Sequence, residues 1–124
     1  MEFGKGMQQY MKMVERQALE QYRKVCKSAL KHCVENSPEF IKPGWKVSVN
    51  ESSNTAEETE DAQRDAIKEG EDVIANITLF DQVTITNSTP GAVSVENGWK
   101  DGSKAGSIIE KSCLQVETEL KKGM

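Results

Sequence analysis

The chain has too few cysteines, at the wrong spacings, to be held together by disulfides or zinc. Cys26, Cys33 and Cys113 are an odd number and form no Cys-x-x-Cys pair. Histidine is nearly absent too. His32 stands alone, a thin basis for acid–base catalysis. It lies beside Cys33, but neighbours on a helix point about 100° apart and do not converge on one ion. The cysteines therefore read as small core thiols and His32 as a surface residue. No apolar run approaches the ~20 residues of a membrane span. Met1-Glu2-Phe3-Gly4-Lys5 lacks the apolar core of a signal peptide. Gly-x-Ser-x-Gly, P-loop, dinucleotide-binding and His-Glu-x-x-His patterns are all missing. Without a secretory signal, the Asn-x-Ser/Thr sequons at Asn50, Asn76 and Asn87 read as chance. The absences predict a protein that is no enzyme, binds no cofactor or metal, crosses no membrane and is made in a cytoplasm.

What is present is modest. At 124 residues the chain predicts a single domain, 1–124. Hydrophobic residues make up 36% and mean hydropathy is −0.62, low for a globule that covers its own apolar surface. Either the core is small or neighbouring molecules complete it. The net charge of −4 argues against a nucleic-acid clamp, which needs a basic face.

Along the chain, Met1–Gly6 reads as loose because Gly4 and Gly6 discourage helix. Met11, Val14, Ala18, Tyr22, Val25, Ala29 and Cys33 then recur three or four residues apart, one stripe of a long helix over 7–35. Pro38 stops it. The stripe suits a flat partner such as a sheet; a two-stranded coiled coil competes, but Ala and Cys are poor seam residues. Trp45, Val47 and Val49 alternate with polar residues, as do Val83 and Ile85, predicting strands at 45–49 and 83–86. Between them Thr55-Ala56-Glu57-Glu58 reads as a capping box opening a helix over 55–77, with Gly70 ending or bending it. Its acidic start lacks the spacing of a calcium loop. A second box, Ser107-Ile108-Ile109-Glu110, opens a terminal helix over 107–122 with the stripe Ile109, Cys113, Val116, Leu120. The fold class expected is α+β: a long N-terminal and a C-terminal helix packed on a small antiparallel or mixed sheet, with a middle helix beside it.

The segment around which the chain is organised runs from Val83 to Gly106. A strand enters the turn Asn87-Ser88-Thr89-Pro90-Gly91, and a short apolar stretch then leads to Glu96-Asn97-Gly98-Trp99-Lys100. It reads as a rigid elbow holding one large aromatic, with Gly98 and Gly91 supplying backbone geometry that a side chain forbids. Glu96 reads as a cap or a backbone partner rather than an acid of raised pKa.

The order of these pieces resembles the tail-completion, or neck, proteins of long-tailed bacteriophages. In that family an Asn-Asn-(Leu)-Pro-Tyr-Ala run leads to Leu-Glu-(Tyr/Asn)-Gly-Trp/His-Ser and then Ala-Pro-Ala-Gly. Thr86-Asn87, Pro90, Ala92, Glu96-Asn97-Gly98-Trp99 and Ala105-Gly106 fall at matching places. Upstream, Asn36-Ser37-Pro38 and Gly44-Trp45-Lys46-Val47-Ser48-Val49 are similar to the family's Ser-Pro-Val-Asp-Thr-Gly-Arg…Trp-x-Val. The Asp-Thr-Gly-Arg run is missing, Gly91 replaces a Tyr, and Ser103-Lys104 replaces the first Ala-Pro.

The resemblance implies a virion structural protein of the head–tail neck. It implies a homo-oligomeric ring, a hexamer, that joins the connector to the tail tube and lets DNA pass without specific binding. It places the assembly surface at Asn87, Pro90, Gly91, Glu96, Asn97, Gly98, Trp99, Lys100 and Trp45, with the loops 39–44 and 50–54 ordering on assembly. The residues alone also allow a small cytoplasmic protein-binding module, monomer or dimer, with Trp45 and Trp99 as its anchors.

Overall fold

Helix α1 (Phe3–Glu35) is 33 residues long, and the buried residues it gives to the core all lie in its second half. The computed structural model describes residues 3–50, 64–96 and 108–123. After α1 come a 3-10 turn (Lys42–Gly44), strand β1 (Trp45–Val49), α2 (Ala66–Ile74), β2 (Val83–Asn87), the short α3 (Ala92–Glu96) and α4 (Ile108–Lys121). The architecture is α+β. The two strands pair antiparallel, with Val47 opposite Ile85 and Val49 opposite Val83. These four apolar residues pack against the core from the sheet. A two-stranded ribbon is marginal in water, so it depends on the helices that cover it.

α1 starts at Phe3 rather than at Met7, and Gly4 and Gly6 lie inside it. Its buried face also differs from the expected stripe. Leu19, Tyr22, Cys26, Leu30 and Cys33 form or border the core, while Met11, Val14 and Ala18 are exposed. The two stripes share Tyr22 and Cys33 but are turned relative to each other, because each residue advances about 100° around the axis. Leu30 decides between them. A buried leucine removes far more apolar surface from water than an alanine does, and Leu30 is wholly enclosed.

α2 begins at Ala66, capped by Asp65, whose carboxylate accepts from the Lys68 amide at 3.1 Å. Arg64 precedes the cap outside the helix, and the Thr55 capping box lies outside the described residues. The helix expected to reach residue 77 stops at Ile74. Gly70 does not end it. It sits buried mid-helix, where a methyl group would run into the Leu30 and Val47 side chains. Glycine here lets α2 lie close to both α1 and β1. Arg64 ties the start of α2 to the first strand: its Nη1 donates to the Pro43 and Trp45 carbonyls at 2.8 and 2.7 Å.

α4 is turned from its expected stripe, of which Val116 stays inside. Ile108, Ser112 and Val116 face inward, while Ile109, Cys113 and Leu120 face solvent. Ser107 of the second capping box lies outside the described residues. The rotation follows from polar bonds to α1. Asn36 Nδ2 donates to Ser112 Oγ at 3.1 Å and to Gln115 Oε1 at 2.7 Å. Glu119 accepts from Ser28 Oγ and meets His32 Nε2 at 2.6 Å. His32 is thus a half-buried interhelical partner, not a surface residue.

The bond from Ser28, then that from His32, holds the Glu119 carboxyl below the usual carboxylate range. A depressed folded-state pKa stabilises the fold above the unfolded carboxylate pKa and is lost as pH falls through the folded value. Urea midpoints should therefore fall on acidification below the ordinary carboxylate range. Glu119→Gln should flatten part of that loss. Asp81, lowered by hydrogen bonds from the Thr78 backbone and the Asn50 side chain, accounts for another part. A wild-type and variant pH profile that superimpose would refute the assignment to Glu119.

Candidate functional site

The turn between β2 and α3 is held from both sides. Asn87 Oδ1 accepts the Thr89 amide at 2.9 Å, and its Nδ2 donates to the Ile41 carbonyl at 2.7 Å. An Asn in this role closes the turn and joins it to the preceding loop. Gly91 has φ +90°, left-handed backbone that glycine adopts without strain, and the Phe40 ring lies beside it. Gly44 meets the same turn. A side chain there would strike Thr89 Oγ1 and come within 2.7 Å of Asn87 Oδ1.

From this turn α3 leads to Glu96. Both of its carboxylate oxygens accept from the Ile109 amide, at 3.2 and 3.3 Å. Glu96 is thus a cap for α4 supplied from outside that helix, as its sequence reading suggests. Negative charge at a helix start also complements the macrodipole. Glu96→Ala should lower stability by about 1 kcal/mol, read as a shift in the urea midpoint. An unchanged midpoint would mean the contact stabilises nothing.

Between β2, α3 and the start of α4 lies a groove of about 330 Å³ with an apolar floor of Ile41, Ile85, Ala92 and Ile108. Asn87 and Glu96 line it, and Trp45 closes its base. Of the residues expected to form an assembly surface, these three are brought together, and Pro90 and Gly91 are exposed next to them. Asn97, Gly98, Trp99 and Lys100 lie outside the described residues.

Trp45 requires correction as a partner anchor. It is only 4% exposed, and its indole Nε1 donates to Ser37 Oγ at 2.8 Å inside the core. The strand alternation that made it visible in the sequence is what turns it inward. The loop 39–44 packs on its own chain. Ile41 is buried, and the Ile41 and Lys42 amides both reach the Pro38 carbonyl. Asn50 is likewise fixed: its Oδ1 accepts the Gln82 amide at 2.8 Å. Residues 51–54 lie outside the described residues.

The chemistry of the thiols and the histidine follows from the packing. Cys26 and Cys33 are buried, and burial pushes both thiols above their usual pKa, which keeps them protonated and unreactive. Cys113 is exposed instead of core. His32 faces Glu119 while Cys33 faces the core, so the pair diverges as its spacing requires. Among the described residues no cluster of His, Cys, Asp and Glu is arranged to hold a metal ion, and no helix is long and apolar enough to cross a membrane.

Two exposed apolar features carry no clear surface signature in the sequence. Phe80 is 96% exposed, at the tip of a turn pinned to α1 by Tyr22 Oη on the Asp81 carbonyl and Arg23 Nη2 on the Ile77 carbonyl. An aromatic between a polar turn and a strand was the available signal. The other feature is the free half of α1. Every residue from 4 to 18 is exposed, Met7, Tyr10, Met11 and Val14 among them. Their spacing was legible, but which of two stripes the core would take was not. Compared with known proteins, the chain matches no family model, no curated protein and no solved structure.

Proposed function

We propose that this chain is a non-catalytic structural subunit of the phage head–tail neck, a tail-completion ring between connector and tail tube. The neck assignment rests on the ordered series of sequence motifs around Pro38–Val49 and Thr86–Gly106. The observation that carries the architectural part is the first half of α1. A helix of that length standing free is marginal in water, and its apolar residues gain nothing until another molecule covers them. An assembly subunit needs such an incomplete surface, and the low overall hydropathy fits one. An acidic chain also suits a passage for DNA, since it offers no phosphate-holding wall.

Light scattering across a concentration series, followed by negative-stain imaging, tests the reading. Closed rings with the mass of six copies are the expected product, with addition to tails seen when isolated phage tails are supplied. A monomer at every concentration, inert toward tails, would overturn it. The alternative of a partner-binding module loses one of its two proposed anchors, because Trp45 is buried.

A further inference from the structure

We propose that the uncovered stripe on the first half of α1 seats on the outer face of α4 in a second copy of this chain. The inference deepens the ring reading by naming its subunit contact, and it rests on that reading. Three observations carry it.

The first is continuity. α4 already packs along α1, running antiparallel to it: Asn36 meets Ser112 and Gln115, while Ser28 and His32 meet Glu119. Ser28 and His32 lie on the same side of α1 as Met7, Val14 and Ala18, given 3.6 residues per turn. The face that α4 covers with polar bonds therefore continues past the end of α4 and becomes apolar. Helix against helix is the packing this face already uses.

The second is that, among the described residues, two such stripes are exposed. α4 exposes Ile109, Cys113 and Leu120 along one side. Its 14 residues extend about 21 Å, and the exposed run 4–18 of α1 about 22 Å. A contact of α1 with another α1 would leave the α4 stripe in water. One contact of α1 with α4 covers both, and because the two surfaces differ it is head-to-tail, the kind that closes into rings.

The third is charge. The exposed run 4–18 of α1 carries Lys5, Lys12 and Arg16 against Glu15, while the rest of the chain carries thirteen Lys and Arg against nineteen Asp and Glu. A basic arm landing on an acidic body is steered toward a neighbour's body and away from its arm.

The native Cys113 on the α4 stripe makes the contact directly testable. Met11→Cys changes an exposed position, and oxidation with diamide should link Cys113 of one copy to the introduced thiol of the next. The expected result is a ladder of disulfide-linked dimers, trimers and higher species that Cys113→Ser abolishes and that wild-type protein does not give. Dimers that persist after Cys113→Ser would show arm pairing with arm and overturn the proposal. Rings by light scattering without the ladder would also overturn it while leaving the ring reading standing. A monomer that never cross-links would remove both.

Discussion

Trp45→Ala should lower the stability of this domain by about 3–5 kcal/mol, the usual cost of emptying a buried aromatic site. Domains of this size have only about 5–15 kcal/mol in total, so the variant should be partly unfolded near physiological temperature. The indole fills the space below β1 and donates to Ser37 Oγ, which in turn donates to the Cys33 carbonyl at 2.5 Å, where α1 ends. Loss of the ring therefore loosens the strand and the helix end together. Trp45→Phe keeps most of the apolar volume but forfeits the indole hydrogen bond, a cost of about 1 kcal/mol from that bond. Urea unfolding followed by far-UV circular dichroism separates the two variants. Unchanged stability with lost association would restore Trp45 to an interface and contradict its buried position.

Gly70→Ala should destabilise although alanine is the better helix former. The helix preference favours alanine by about 1 kcal/mol. Against it, the new methyl would overlap the Leu30 side chain and approach Val47 Cγ2 to 2.9 Å. Leu30 has no solvent to retreat into, and Val47 is stiff at χ1. Forced overpacking at such a site costs up to about 3 kcal/mol, leaving a net loss of about 2 kcal/mol. A double-mutant cycle tests the cause. In a Leu30→Ala background the methyl has room, so the pair should cost clearly less than the sum of the single changes. Additive costs would mean that α2 does not lie against Leu30.

The sequence was most informative where a local rule acts alone. The strands at Trp45–Val49 and Val83–Asn87 follow from alternation. The end of α1 before Pro38 follows from proline sterics, and the positive φ at Gly91 from a turn only glycine fills easily. The capping role of Glu96 was legible as a type of role, but its partner, the Ile109 amide, is 13 residues away and no local pattern names it.

Face selection is where sequence reasoning fell short, and it did so twice in the same way. On α1 and on α4 the periodic apolar stripe points to a buried side, and the fold turns much of that stripe outward. Periodicity shows that a helix has an apolar side; it does not show how many elements compete to cover that side. On α1, Leu30 and Cys26 won the interior because α2 and the sheet approach from their direction. On α4, Asn36, Ser28 and His32 placed Ser112 and Glu119 inward through hydrogen bonds across most of the chain's length.

The amino-acid order by itself determined the two strands, the long and terminal helices and the glycine-dependent turn, because each depends on backbone sterics or on neighbours a few residues apart; that the strands pair antiparallel was decided between residues about forty positions apart. Only the tertiary structure decided which helix faces are buried, that Trp45 is core, and that the start of α1 stands uncovered. Those outcomes depend on which distant surfaces meet, and burial is settled by that meeting rather than by any residue's own preference.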